Sequence, residues 1–377
     1  MCSNQDDRLF EDAVKILGET RLSDNAFSTE RFGSILDQAR SQAIQRIQTF
    51  LSGGMLVRDM SPIILDYIDY PKLNAFAFDY AGNHFIALSG YGIVVVYYTM
   101  LRMLSNPNFL VEIGNSKKEN KDTPFIPLSD DFRIIFNHLV NSNITLSSFL
   151  PKDEIRELTA RAVAQLATDF IIAHEFRHHQ AGHVRYFQEQ HRQPFIRELS
   201  IEINEPSLSI VSQALEMDAD SYAIKTILDW SLKIVAQPEK YSESWAMVFT
   251  NAKQTAYLCM LSAYIVFKLL DFVGNSPDSW ENISHPPPAL RASMMLATAL
   301  ECFKSWNRSD LYDWLPECLP RIIEVGEKQL GLIANIKPKK DLLMRIYGAE
   351  GQNHVSSILE TWSKIEAQLS AYSFVSF

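Results

Sequence analysis

The residues best suited to chemistry lie in one run, HEFRHHQAGH, from His174 to His183. His174, Glu175 and His178 form an HExxH core, whose spacing puts two imidazoles on the same face of a helix, one turn apart. Such a pair can hold one metal ion from a rigid support, and a glutamate beside the first histidine can reach a water on that ion without ligating it. A third donor is required, and Glu216 in the stretch LEMDADSYA provides one from a following helix. Asp220 lies one turn further on the same face, where it can accept a hydrogen bond from the outer nitrogen of a ligating histidine. His174, His178 and Glu216 are therefore expected to bind one Zn2+. Glu175 would take a proton from the attacking water and return it to the leaving amine. His179 and His183 project away from the 174/178 face and are assigned solvated or structural roles, with Gly182 and His183 shaping the end of the helix. Asp218, two residues from Glu216, points elsewhere and is read as a surface residue.

These side chains need long, stable elements behind them. From Asp153, the apolar residues Ile155, Leu158, Ala162, Leu166, Phe170 and Ala173 recur with helical period straight into the motif, which predicts a long helix carrying it near the C-terminal end. Residues 191–207, with Pro194 and Pro206, read as a connection. A second helix is predicted from near Ser207 through Glu216 and Asp220, and a third, strongly apolar one over about 244–273. Upstream, residues 1–55 read as amphipathic helix ended by Gly53 and Gly54. Two apolar runs, Asn74 to Phe78 and Phe85 to Leu88, flank a polar turn and predict a β-hairpin. A helix over 93–104 and a polar loop over 114–124 follow, and helical patterning returns from about Ala289 through Trp362.

Composition narrows the class. The chain of 377 residues is 47% hydrophobic and 21% charged, as in an ordinary globular protein, and its formal net charge of -10 argues against nucleic acid or an anionic membrane as partner. The first residues, MCSNQDDRLF, lack the basic start and apolar stretch of a secretory signal. Cys2, Cys259, Cys302 and Cys318 have no CxxC spacing, so a reducing cytoplasm is expected. The apolar runs 92–104 and 256–270 are interrupted by Arg102 and Lys268 and fall short of the roughly 20 residues of a membrane span, so both read as buried core helices and no membrane insertion is expected.

HEFRHHQAGH followed by EMDAD resembles the gluzincin metallopeptidases of the CAAX-prenyl-protease and heat-shock membrane protease family, whose pattern is HExxHxxxGH and then ExxxD. The hairpin segment LNAFAF and the downstream SHPPPALR are similar to two further motifs of that family. The metzincin alternative fails in register, because Ala181 and Val184 stand where glycine and histidine are needed. Family members usually carry membrane helices, so this chain resembles a soluble relative. The resemblance makes the same four residues the zinc ligands and base. It also offers His285 or Arg291, and more weakly Tyr222, to the oxyanion, and Asn74, Ala75 and Phe76 as a strand edge on which an extended substrate pairs.

The expected architecture is a predominantly helical α+β, zincin-like fold with a small sheet beside the motif helix. Its divisions are an N-terminal helical segment 1–55, a metallopeptidase domain 56–300 and a C-terminal helical segment 301–377. The expected activity is a zinc endopeptidase acting on a protein or peptide. Two rivals are a non-catalytic zinc-binding regulatory or chaperone-like module and a zinc hydrolase of a non-peptide amide or ester. A cleft too closed for an extended chain would favour the latter.

Overall fold

The computed structural model describes residues 4–23, 30–52, 56–119, 126–141, 149–192, 195–197, 206–271, 280, 283–334 and 342–376. Helices α1 (Asn4–Val14) and α2 (Glu30–Ser52) precede strand β1 (Ile63–Ile68), the hairpin β2 (Ala75–Tyr80) and β3 (Asn83–Ser89), and helices α3 (Gly90–Leu104) and α4 (Phe132–Asn141). The long helix α5 (Glu154–Gln180) is followed by α6 (His183–His191), the short strand β4 (Phe195–Arg197) and a second long helix, α7 (Pro206–Ala236). Helices α8 (Glu243–Val248), α9 (Ala252–Leu270), α10 (Pro288–Ser305), α11 (Ser309–Tyr312), α12 (Leu315–Ala334), α13 (Leu342–Tyr347) and α14 (Ala349–Leu369) complete it. The protein is predominantly helical α+β, as its patterning predicts. The expected helix stop at Gly53 and Gly54 lies outside the described residues, as do 120–124 of the expected polar loop.

Helix α5 is the axis of the molecule and packs on α7, α3, α9 and α2. It is buried on most of its circumference, consistent with a central core helix rather than an amphipathic surface one. Asp153 caps its start by accepting a hydrogen bond from the Arg156 backbone N–H, with Glu154 and Glu157 in the first turn and Arg177, His178 and His179 in the last, each on the favourable end of the helix dipole. Arg156 is completely buried and donates to the carbonyls of Leu104, Asn106, Phe109, Leu110 and Ile113, tying the turns after α3 to the start of α5.

The sheet has the order β1-β3-β2-β4, with β1 parallel to β3 and the other pairs antiparallel. Ala81 and Gly82, at φ 49° and 78°, make the two-residue hairpin turn, whose left-handed pair matches the strand twist. Phe76, Phe78, Phe85 and Ala87 pack on Phe10, Ala13 and Val14 of α1 and on Leu17 in the turn after it. Ala75, Ala77, Ile86 and Leu88 alternate onto the opposite face, towards the motif helix and the main core.

Two elements differ from their sequence reading. The segment 191–207, read wholly as a connection, contributes β4, which pairs with Phe76 to Phe78 of β2. A run of three residues is too short to register as a strand by pattern. The single helix read over 244–273 is two, because Asn251 accepts from the Gln254 N–H and starts α9 afresh. Both apolar runs, in α3 and α9, are buried core helices, and among the described residues no helix is long and apolar enough to cross a membrane.

Candidate metal centre

Helices α5 and α7 bring together the residues that the motif nominated. His174 Nε2 and His178 Nε2 are 2.9 Å apart, Glu216 Oε2 is 3.0 Å from the first, and Glu216 Oε1 is 3.5 Å from the second. All three side chains are at most 1% exposed. Neither Glu216 oxygen accepts a hydrogen bond, although both are buried. Burial alone would raise the Glu216 carboxyl, but the imidazoles of His285, His178 and His174 hold it well below the usual carboxylate range. Two imidazole nitrogens and a carboxylate thus converge on one point. A small divalent ion held tetrahedrally at 2.0–2.1 Å keeps its donors about 3.3 Å apart, so the set fits a metal.

The outer ring nitrogens explain how the donors are held. His174 Nδ1 lies 3.0 Å from Asp220 Oδ1, and Asp220 is gripped by Arg291 through Nε at 2.8 Å and Nη2 at 2.7 Å. A carboxylate can only accept, so His174 carries its hydrogen on Nδ1 and keeps the Nε2 lone pair inward. A second chain backs His178: its Nδ1 is 3.1 Å from His183 Nδ1, while His183 Nε2 faces Asp218 Oδ2 at 3.4 Å. Asp218 is itself paired with Arg177 at 2.6 Å and 3.1 Å. Burial lowers the His183 pKa against the pull of Asp218, which favours a neutral ring that directs its hydrogen at Asp218 and accepts from His178. This tautomer again leaves His178 Nε2 free of hydrogen on the metal side.

His183 is therefore buried rather than solvated, in the structural place expected of it at the helix end with Gly182, and Asp218 is paired with Arg177 rather than standing on the surface. Helix α5 ends at Gln180, and Gly182 turns the chain at φ 78° so that α6 starts with His183 folded back onto His178. A Cβ at this glycine would lie 2.5 Å from the Tyr372 backbone, so the turn demands both the left-handed conformation and the missing side chain. The signal available in the sequence was the glycine itself, a common helix terminator that ends the projection on which the exclusion of His183 relied.

The remaining sequence candidates separate. His285, just before α10, places Nε2 3.0 Å from Glu216 Oε2 and Nδ1 2.8 Å from Ser284 Oγ. The segment is fixed by Gln213 of α7, which donates to the carbonyls of Trp280 and Ile283, and by Ser209, which donates to Ile283. Arg291 faces Asp220 with its Nε and Nη2 and stacks on Phe267, so its geometry is that of an anchor for the Asp220–His174 pair. Tyr222 packs among Phe50, Phe176 and the Arg177 guanidinium. Asn74, Ala75 and Phe76 are at most 1% exposed, and Phe76 already pairs with Arg197 of β4. β4 thus occupies the expected strand edge from Phe76 onwards, whereas Asn74 and Ala75 precede the residues it pairs with. Glu175, next to His174, is 1% exposed.

Comparison with known proteins yields one match. A family model described as Peptidase U49 matches residues 131–311, just under half the chain. That span contains His174, Glu175, His178, Glu216, Asp220, His285 and Arg291. The match supports a peptidase family, which is the level at which it agrees with the motif resemblance. No curated protein and no solved structure matches the chain.

Proposed function

We propose that the protein is a zinc-dependent endopeptidase acting on a protein or peptide substrate, a gluzincin-like enzyme of the kind its motifs resemble. The observation that carries this reading is the convergence of His174 Nε2, His178 Nε2 and Glu216 within 3.5 Å, each histidine backed by a carboxylate chain. Zinc held by these donors would supply Lewis acidity to an attacking water and to the scissile carbonyl. Glu175 takes the proton from that water and delivers it to the leaving amine. His285, whose Nδ1 lies 2.8 Å from Ser284 Oγ and whose Nε2 lies 3.0 Å from Glu216 Oε2, is the donor for the developing oxyanion. Asp220 and Arg291 hold His174 in register, and His183, Asp218 and Arg177 do the same for His178.

Metal removal tests the reading. Dialysis against a chelator should abolish cleavage of a substrate protein, and zinc added back in stoichiometric amount should restore it. Cleavage that persists in the metal-free protein would overturn it. Asp220→Asn removes the charge that orients His174 and should weaken zinc binding by about 10- to 100-fold. Competition with a chromophoric chelator measures this, and an unchanged affinity would remove Asp220 from the assembly.

Burial of the donors and coverage of β2 by β4 favour a second reading, a zinc hydrolase of a small non-peptide amide or ester. Under it, folded protein and extended peptide substrates stay intact while small acyl amides are hydrolysed with the same dependence on zinc.

A further inference from the structure

A second group of metal-type donors lies on another face of the motif helix. Asp79 of β2 and His84 of β3 are directly paired across the hairpin, on the face turned towards α5, where they meet His179. His84 Nδ1 is 2.6 Å and His179 Nδ1 is 3.4 Å from the same oxygen, Asp79 Oδ1. Both histidines are only 2% exposed.

Hydrogen accounting at His179 decides the chemistry. Its Nε2 is 2.9 Å from the Phe85 carbonyl oxygen, which can only accept, so the ring hydrogen resides there and Nδ1 presents a lone pair. That lone pair faces a carboxylate oxygen, and His179 Nδ1 has no hydrogen-bond partner. Two acceptors in this arrangement repel unless a cation lies between them. A shared proton would draw them to the 2.7–2.9 Å of a charge-assisted hydrogen bond. The observed 3.4 Å is instead close to the roughly 3.3 Å that separates two donors on a tetrahedral ion. A ring nitrogen anchored on a backbone carbonyl, with the other turned to the site, is also how metal-ligating histidines are usually held.

We infer that Asp79, His84 and His179 form a second, structural site for a zinc-type divalent ion, which clips the tip of the β2–β3 hairpin to the motif helix. Two imidazoles and a carboxylate suit zinc and its transition-metal neighbours better than calcium or magnesium. Asp79 is 18% exposed, which gives the ion an entry path and leaves its fourth position to solvent. Arg185, 3.6 Å from Asp79 Oδ2, and Phe374, which packs on His84, cover the cluster. Binding would open the short His84–Asp79 contact by several tenths of an ångström, to about 3.3 Å. The inference does not depend on the proposed catalytic centre, since it uses a different donor set. Asp79 and His84 also lie outside the span matched by the peptidase family.

The test is metal content after equilibrium dialysis of the full chain against zinc. Wild-type protein should retain one ion more per chain than Asp79→Asn or His84→Gln, while His178→Gln should lose the ion of the other centre. Equal zinc content in wild type and both hairpin variants would mean that the cluster is only a proton-shared ion pair, and the inference falls. Should the variants misfold, Co2+ titration followed by visible absorption decides on the remaining proteins. A tetrahedral cobalt spectrum retained in folded His178→Gln supports the second site. Saturation of wild type at one equivalent, lost in His178→Gln, overturns it.

Discussion

Glu175→Gln should reduce peptide cleavage by at least about 10²- to 10⁴-fold, the usual loss when a general base is removed, and should leave the bound metal in place. The substitution is nearly isosteric, which matters where the side chain is 1% exposed and a change of volume would disturb α5 itself. Glu175 is absent from the three converging donors, so its loss takes no ligand from the ion. An amide in its place cannot accept the proton of the attacking water. Two measurements settle the matter together: zinc per chain, and new protein termini in cells expressing wild type or variant. A variant that retains zinc and loses cleavage supports the base. A variant that cleaves at the wild-type rate removes Glu175 from the reaction and favours a non-catalytic, regulatory role for the zinc module. A variant that loses its metal would make Glu175 a ligand instead.

Arg156→Met should destabilise the protein by about 3–5 kcal/mol, the range seen when one partner of a buried charge pair is removed. The guanidinium serves five backbone carbonyls between Leu104 and Ile113, and it also neutralises Glu119, whose Oε1 lies 3.5 Å from Arg156 Nε. Glu119 accepts the N–H groups of Lys152 and Asp153 and so sits at the very start of α5. Methionine fills similar volume but satisfies none of these oxygens, so their desolvation is left uncompensated. The loss should appear as a lower denaturation midpoint at unchanged denaturant slope. Arg156→Lys should be rescued only in part, since a compact ammonium has three donors and cannot span the fork. A midpoint shift equivalent to less than about 1 kcal/mol, the value of an exposed pair, would show that water replaces the arginine without cost.

What could be read from residues alone follows the reach of local geometry. The i, i+4 spacing of His174 and His178, and of Glu216 and Asp220, holds wherever the backbone is helical, and the apolar period from Ile155 to Ala173 already required a helix there. The hairpin was legible for the same reason, from alternation around a two-residue turn. The helix projection that excluded His183 failed at Gly182, where a left-handed residue ends the helix on which the projection depends. Asp218 was misread as a surface residue because its partners, Arg177 and His183, come from other elements. The same limit hid β4, whose three residues gain their identity only by pairing with β2.

HEFRHHQAGH by itself determined the residue types, the shared face of two histidines and the adjacent carboxylate. Only the tertiary structure decided that Glu216, nominated from the sequence, lies within 3.5 Å of both histidines, that Arg291 holds Asp220 through two of its nitrogens, and that His179 turns from the first centre towards Asp79 and His84. The physical reason is that periodicity fixes directions within one helix or strand. Distances between elements arise from how whole faces pack, and no local spacing in the chain encodes them.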